Sequence, residues 1–467
     1  MVKILKYRRF LSRLNIGLLV SSFLVFGGLR ADEAKFFDAL QKNEIGSAMA
    51  LIEQGVDVNA VQSDGANALH WAAHWNATDL AGRLLEKGAL VDAPNELGVY
   101  PISIACRNGS ESMAALLLAA GGDPRTQEPS GETALMTCSR TGTLSGVENL
   151  LAAGADVNAS ELSSGQTALM WASANGHTEV IRLLIAAGAD VNAASGGEFT
   201  PLMFAARAGA IGAAELLLDA GSSVNVSTSD GLSPLVLAAA SIDAMTGSDY
   251  RLVVGESTHE AMGVLLLEHG ADVNQADQYG MTSLHYAVEM DKPLLVRSLL
   301  EAGGNPNAKL SQGLPFRRGD YVGREAYDGA SPFWLAARLG DIEMMRELLA
   351  AGADPELRQA WGVTPTMVAA GVTQTDSRIV DQEKLVEALK LLVLEIGTDI
   401  HAVDRSGQNA VHGAANVSGN EVIKFLVANG ADPEAKDYRG RTPHDVAMRT
   451  LRPRPLTAAL LKELAAN

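Results

Sequence analysis

Aromatic residues and basic residues are both scarce in this sequence. Aromatic side chains make up 5% of its 467 residues, whereas hydrophobic residues make up 47%. This balance favours a helical core of alanine and leucine over an aromatic core. Acidic residues outnumber basic residues by 55 to 37, which gives a net charge of −18. Because nucleic-acid binding needs a basic face, free nucleic acid is not expected to be a partner.

Motifs of common catalytic sites are also missing. The sequence has no Gly-x-Ser-x-Gly nucleophile motif and no phosphate-binding loop. His259 and Glu260 begin a zinc-protease motif, but Gly263 stands where the second histidine is required. We therefore expect no cofactor, no metal and no catalysis. An enzyme or small-ligand binder that uses a pocket between repeats remains the alternative.

The N-terminal residues 1–31 differ from the rest of the sequence. They carry six basic residues and no acid, which leaves a net charge of −24 on the remainder. The apolar run at residues 16–29 is shorter than the roughly 20 residues of a membrane span. A basic head, a short apolar run and small residues up to Ala31 predict a cleaved signal peptide and an exported protein that starts at Asp32. An uncleaved anchor in an inner membrane and a buried helix are the alternatives.

Residues 32–467 repeat one pattern. The spacing between equivalent apolar positions is 33 or 34 residues in seven of ten steps, and 45 or 49 residues in the other three. The longer steps reflect insertions near residues 241–258, 310–327 and 372–382. These anchor positions are Leu69, Ile102, Leu135, Leu169, Leu202, Leu235, Leu284, Phe333, Thr366, Val411 and His444. A fixed period of this length indicates an array of stacked units.

Each unit carries start and stop signals for two helices. A turn glycine such as Gly165 precedes a Thr-Pro pair or its substitute, which suits a helix N-cap and first turn. A pair of small residues follows, and small side chains let neighbouring helices approach closely. The second helix carries a leucine pair and ends at a glycine such as Gly188, which suits a left-handed C-cap.

These features resemble the ankyrin repeat, most fully at residues 167–193, which read TALMWASANGHTEVIRLLIAAGADVNA. The resemblance covers about residues 33–465. It implies an all-α repeat solenoid of about 11–12 helix-pair units with hairpin fingers, with a cap unit at each end. It also implies protein binding on the concave side, through the fingers and the first helices.

Two variable positions are candidates for the binding surface. The residue after the turn glycine is apolar in three successive units, at Phe199, Leu232 and Met281, and an exposed apolar patch would mark an interaction site. The alternative is that these side chains pack onto neighbouring fingers. The residue after the small pair is arginine in five units, at Arg107, Arg140, Arg207, Arg338 and Arg449.

The arginines predict a strip that binds carboxylates or an acidic peptide. The alternative is that they complement helix dipoles or pair with acids on the next repeat. The insertion at residues 310–327 is a third candidate, because aromatic residues and arginine are enriched at binding hot spots. Its candidate residues are Phe316, Arg317, Arg318 and Tyr321.

Other recurrent residues are expected to be structural. His70, His285 and His412 share one repeat position and are expected to bind backbone atoms in the turns. Trp71, Trp171, Phe204 and Tyr286 share another and are expected to pack rather than to form a ligand site. Cys106 and Cys138 lie in the small pairs of adjacent units. We expect ordinary core packing for them, since packed helix axes lie 8–10 Å apart, and a disulfide is the alternative.

The sequence thus predicts a monomeric, exported protein-binding solenoid, with a bacterial periplasm as the expected compartment. The predicted binding surface centres on units six to nine. A membrane-anchored envelope scaffold is the remaining alternative.

Overall fold

The structure is a computed structural model that describes residues 30–246, 256–311, 327–372, 381–449 and 453–466. The side chains of residues 241–246, 256–257 and 449 are not described. Residues 1–29, which hold most of the predicted signal peptide, lie outside the described residues. None of the described helices is long and apolar enough to cross a membrane.

The described residues form twelve consecutive helix pairs, here called units 1 to 12. The first helices are α1 (Ala31–Gln41), α3 (Ala68–His74), α5 (Pro101–Arg107), α7 (Ala134–Thr141), α9 (Ala168–Asn175), α11 (Pro201–Ala208), α13 (Pro234–Thr246), α15 (Ser283–Glu289), α17 (Pro332–Leu339), α19 (Pro365–Ala369), α21 (Ala410–Asn416) and α23 (Pro443–Arg449).

The second helices are α2 (Ile45–Glu53), α4 (Thr78–Glu86), α6 (Glu111–Ala119), α8 (Leu144–Ala152), α10 (Thr178–Ala186), α12 (Ile211–Asp219), α14 (Glu256–Glu268), α16 (Pro293–Glu301), α18 (Ile342–Ala350), α20 (Gln382–Lys390), α22 (Asn420–Ala428) and α24 (Pro455–Ala466). Helix α20 continues directly as a π-helix at Leu391–Ile396. The expected all-α repeat solenoid is confirmed, and the number of units agrees with the 11–12 predicted.

The helix boundaries follow the predicted signals. The hydroxyls of Thr133, Thr167 and Thr200 accept hydrogen bonds from backbone N–H groups three residues later, and Pro201 occupies the first turn of α11. Helix α9 ends at Gly176 with a φ of 70°, a left-handed conformation that glycine adopts without strain. Local sequence therefore sets where the first helix begins in units 4 to 6 and where α9 ends.

Stacking joins the units into one core. Each first helix contacts the next first helix, and each second helix contacts the next second helix. The buried apolar residues form one continuous cluster that extends from Phe36 in α1 to Leu461 in α24. Unit 1 and unit 12 close the ends of this cluster, as expected for caps.

Two backbone-directed contacts fix the distance from unit to unit. At the finger tips, the N–H of one hairpin donates to a carbonyl of the preceding hairpin, as from Leu162 to Ser130 and from Gly196 to Ser164. The second contact lies after the second helix of each unit. There the side-chain amide of Asn158 donates a hydrogen bond to the Gly188 carbonyl and accepts one from the Asp190 N–H. Asn59, Asn192, Asn225, Asn274 and Asn307 make the same bridges. The sequence pattern includes these asparagines, but their role was not predicted.

Cys106 and Cys138 form a disulfide, so the expectation of unbonded core packing is wrong. Their Cα atoms lie 4.5 Å apart, and both residues are fully buried. The expectation compared this distance with the separation of helix axes. Each Cα lies about 2.3 Å from its axis, so Cα atoms that face each other across close-packed helices are much nearer than the axes. Small neighbours such as Ala105 permit this approach.

The bounds of the three predicted insertions stay predictions, but the order of the helices shows which elements each insertion separates. One lies between α13 and α14, one between α19 and α20, and one precedes α17 in the position of a finger. Residues 247–255, 312–326 and 373–380 of these insertions lie outside the described residues. The candidate residues Phe316, Arg317, Arg318 and Tyr321 are among them and stay predictions.

Candidate surface on the first helices and fingers

The first helices and the hairpin fingers present one continuous face, here called the inner-helix face. Two rows of variable side chains run along it, one residue per unit. The finger row is the residue after the turn glycine. The arginine row is the residue after the small pair, near the C-terminal end of the first helix. The structure places the predicted arginines in this row in units 3, 4, 6, 9 and 12, and the Arg449 side chain of unit 12 is outside the described atoms.

Arg107 and Arg140 are exposed and already paired with acids. The side chain of Arg107 is 41% exposed and lies 2.8 Å from the carboxylate of Glu128 on the next finger. Arg140 is 40% exposed, lies 3.4 Å from Glu132 and stacks on the ring of Trp171 at 4.6 Å. Burial raises the pKa of Glu128. Pairing with acids on the next repeat was the structural alternative for this row. It holds for Arg107, whereas Arg140 pairs with an acid of its own unit.

Arg207 differs from the other arginines because two phenylalanine rings surround it. Its guanidinium carbon lies 5.2 Å from the ring centre of Phe204 and 5.8 Å from that of Phe199. The residue is half-buried, and burial lowers the pKa of its guanidinium. Within the described part of the protein it has no ion pair and no side-chain hydrogen bond.

Arg338 is buried, so its predicted role on an open surface is wrong. Its side chain is 4% exposed and makes a double contact with Glu289 at 2.6 and 2.7 Å. Glu289 holds the equivalent position in the preceding unit, and the Tyr327 ring lies 5.3 Å from the guanidinium. An acid and a base at the same position of consecutive units therefore neutralise each other inside the fold.

The finger row also contains both partly exposed and fully buried side chains. Phe199 and Leu232 are half-buried, whereas Met281 is completely buried in the core cluster. The predicted exposed patch is therefore wrong at Met281. Its backbone N–H donates to Asp277 at 2.9 Å, and the Tyr286 hydroxyl donates to the same carboxylate at 2.7 Å. Phe199 and Leu232 make equivalent backbone contacts, so the burial of Met281 comes from the packing of its side chain in the core cluster.

Exposed apolar side chains occur instead on the other side of the turn glycine. Leu97, Leu162, Trp361 and Tyr438 lie in the finger turns and are 75%, 79%, 49% and 75% exposed. The predicted patch uses the residue after the glycine and therefore does not include them. The one to three residues before the glycine are the signal that would have found them.

The recurrent histidines and aromatic residues have structural contacts. His70, His285 and His412 contact the backbone carbonyls of Val99, Ala308 and Arg441 at 2.9 to 3.1 Å, which confirms their predicted role. Phe204 and Tyr286 are buried, which confirms packing for these two. Trp71 and Trp171 are half-buried and donate their indole N–H groups to Gln62 and Gln166.

The described residues contain no group of three or more acidic, histidine or cysteine side chains placed to hold a metal ion. A small cavity between the third and fourth fingers is lined by Gln127, Thr133 and Asp156. Pro124, Arg125, Ala155 and Ala159 complete its lining.

Comparison with known proteins gives a consistent result. Residues 102–195 match a model of three ankyrin repeats, and residues 69–118 and 184–238 match models of many copies. Residues 279–310, 328–359 and 406–438 each match a single ankyrin repeat.

Curated relatives share only part of their length with this protein. Human neurogenic locus notch homolog protein 1 is 33% identical over 172 residues, which is 36% of this sequence and 6% of that protein. The transient receptor potential cation channel subfamily A member 1 homolog of Caenorhabditis elegans is 27% identical over 197 residues, 42% of this sequence and 14% of that protein. Human SH3 and multiple ankyrin repeat domains protein 2 is 26% identical over 207 residues, 39% of this sequence and 10% of that protein. The matched region thus spans far less than two thirds of these relatives.

The matched models together cover more than half of the sequence, and the matched residues lie within the array of helix pairs. The protein belongs to the ankyrin-repeat family.

Proposed function

We propose that this protein is an exported protein–protein interaction module that binds its partner on the inner-helix face of units 3 to 7 and has no catalytic activity. The main support is that side-chain exposure differs along the arginine row. The side chains of Arg107 and Arg140 are 41% and 40% exposed and Arg207 is half-buried in units 3 to 6, whereas Glu289 and Arg338 are buried in units 8 and 9. The proposed surface therefore lies nearer the N-terminus than the sequence predicts.

The composition of this surface supports a protein partner. Ankyrin repeats imply protein partners, and Trp171, Phe199 and Leu232 add half-buried apolar area beside the arginines. Aromatic residues and arginine dominate the binding energy at protein interfaces. We propose that the protein acts as a monomer.

Export is part of the proposal because of the N-terminal sequence and the disulfide. Disulfides persist in oxidising compartments such as the bacterial periplasm and are rare in the cytosol. The Cys106–Cys138 bond supports folding in such a compartment. Mass spectrometry of the mature N-terminus tests this step. A mature protein that begins at Asp32 supports a soluble exported form, whereas retention of residues 1–31 on a membrane supports the anchored alternative.

Crosslinking capture from the native cell envelope tests the binding surface. The baits are the wild-type protein, a variant with Arg107→Glu, Arg140→Glu and Arg207→Glu, and a control variant with Arg182→Glu. Arg182 lies on α10, on the second-helix side, and is 62% exposed. We expect a protein that is captured by the wild type and the control and lost with the triple variant. Capture that survives the triple variant contradicts the proposed surface.

A further inference from the structure

Arg207 carries a positive charge that the described structure does not neutralise. Arg107, Arg140 and Arg338 each have a carboxylate partner, at 2.8, 3.4 and 2.6 Å. In the described residues no carboxylate lies within ion-pair distance of Arg207. Burying a charge without a counterion is unfavourable, so this position retains a cost that an added anion would relieve.

The neighbouring units carry no acid at the equivalent repeat position. The equivalent residues of the arginine row in units 5 and 7 are Ala174 and Ala240, which carry no polar side-chain group. Glu198 is on the same finger as Phe199, but it accepts a hydrogen bond from the Ser229 N–H, and this contact lowers its pKa. The sequence therefore places small residues, rather than acids, on both sides of Arg207.

The two phenylalanine rings hold the guanidinium and leave its donors free. Cation–π contacts with Phe199 and Phe204 offset part of the desolvation cost. In both contacts the guanidinium carbon lies over an aromatic ring. An arginine guanidinium has five N–H donors in one plane, and that of Arg207 makes no hydrogen bond with the described residues.

We propose that Arg207, held by Phe199 and Phe204, is the anchor for one carboxylate group of the binding partner. A carboxylate matches two parallel N–H donors of a guanidinium. The group belongs either to an Asp or Glu residue or to the C-terminus of the partner, which share this chemistry. One guanidinium with apolar walls suits a single negative charge better than a phosphate, which proteins bind with clusters of arginine.

The net charge of the protein does not prevent this contact. The mature region is strongly acidic, but charges further away than about 8 Å are largely screened at physiological ionic strength. Groups within contact distance decide the affinity, and here they are the guanidinium and two rings. This inference rests on the proposed function for the origin of the carboxylate, although the anchor can be tested without the partner.

The test is NMR titration of the full mature protein, labelled with 15N in arginine. The Nε–H signal of Arg207 is assigned by its loss in Arg207→Lys. The probes are N-acetylglutamate α-methylamide for the carboxylate of an acidic residue, N-acetylglycine for a C-terminus, the neutral N-acetylglutamine α-methylamide, and methyl phosphate. We expect a saturable shift of the Arg207 signal with one or both carboxylates and none with the neutral amide. The carboxylate probe that binds more tightly indicates whether the partner's carboxylate belongs to an acidic residue or to a C-terminus.

Substitutions separate the anchor from general charge effects. Phe199→Leu and Phe204→Leu keep apolar volume but remove a ring, and each should weaken carboxylate binding roughly two- to fivefold. Thermal unfolding confirms that these variants fold. The exposed Arg182 is the internal control, and its signal should stay unchanged.

Three outcomes overturn the inference. The first is an Arg207 signal that does not shift with either carboxylate. The second is a shift of equal size with the neutral amide. The third is tighter binding of methyl phosphate than of the carboxylates. If any of these results is found but partner capture still depends on the other arginines, the proposed function stands without the anchor. Carboxylate binding at Arg207 without any captured partner overturns the proposed function and retains the anchor.

Discussion

Glu289 and Arg338 occupy the same position in consecutive units, yet neither reaches solvent. Their side chains are 1% and 4% exposed. A buried pair of this kind is costly to break, since removal of one partner leaves an uncompensated charge in the interior. The pair therefore links units 8 and 9 through a buried ion pair.

We expect Glu289→Gln to lower the free energy of unfolding by about 3–5 kcal/mol, measured by urea unfolding at pH 7. A double variant, Glu289→Leu with Arg338→Met, should recover most of this loss because no charge remains buried. The control is Glu395→Gln, which breaks the exposed Arg346–Glu395 pair and should leave the midpoint nearly unchanged. Equal losses for Glu289→Gln and Glu395→Gln would show that burial is not decisive here.

The arginine row also shows the limit of sequence reasoning for single residues. Repeat spacing placed Arg107, Arg207 and Arg338 at one structural position, as the helices confirm. Their exposure depends on the residue at this position in the adjacent unit and on nearby rings such as Tyr327. Those contacts are tertiary, so the pattern predicted the position of each arginine but not its environment.

At the scale of elements, the Cys106–Cys138 disulfide joins helices α5 and α7 of units 3 and 4. It closes a loop across a sequence separation of 32 residues. In the chain-entropy description, a crosslink of this length stabilises the folded state by about 3–4 kcal/mol, because it restricts the unfolded polypeptide.

We expect the double variant Cys106→Ala with Cys138→Ala to unfold at a lower temperature than the oxidised wild type. Reductant should lower the midpoint of the wild type and leave that of the double variant unchanged, with thiol content followed by mass spectrometry. A wild-type midpoint that is independent of reductant, with free thiols present, would contradict a stabilising role.

The asparagine bridges connect the second-helix ends of neighbouring units. Asn158 makes two hydrogen bonds to the following unit, at 3.1 and 2.8 Å. We expect Asn158→Ala to destabilise the protein by about 1–3 kcal/mol, since each of the two bonds contributes about 0.5–1.5 kcal/mol. Asn158→Asp keeps the acceptor, so its loss of stability should be intermediate. Asp92 already accepts the equivalent hydrogen bond in the bridge from unit 2 to unit 3.

Hydrogen exchange locates this effect. The Asp190 amide should exchange faster in Asn158→Ala, while the Ser223 amide, which donates to Asn192, serves as the unaffected control. Uniformly faster exchange along the whole array would indicate global destabilisation and would contradict a local bridge.

For the whole molecule, the sequence predicted most of the fold and less of the surface. Repeat spacing, Thr-Pro starts and glycine stops predicted the helix pairs because these signals act within a few residues. The disulfide was not predicted, since spacing does not give the axial offset of facing helices. The burial of Met281 was not predicted, because it depends on how the core packs around its unit.

Three buried histidines, in units 2, 8 and 11, make the stability of the whole array sensitive to acid. Burial lowers the pKa of His285 to about 4, and it also lowers the pKa values of His70 and His412. Each folded-state pKa lies below the unfolded value of about 6.5. Protons therefore bind the unfolded state first, so stability is complete above pH 6.5 and falls as the pH decreases towards 4.

We expect the thermal midpoint to decrease from pH 7 to pH 4.5, and His285→Met to show a shallower decrease although it is less stable at pH 7. Met136, Met170 and Met203 hold the equivalent position in units 4 to 6, so methionine fits this site in the fold. Carboxyls such as Glu128 and Asp277, whose pKa values burial raises, act in the opposite direction in both proteins. The difference between the two curves therefore isolates His285, and parallel curves would show that its protonation does not limit stability in acid.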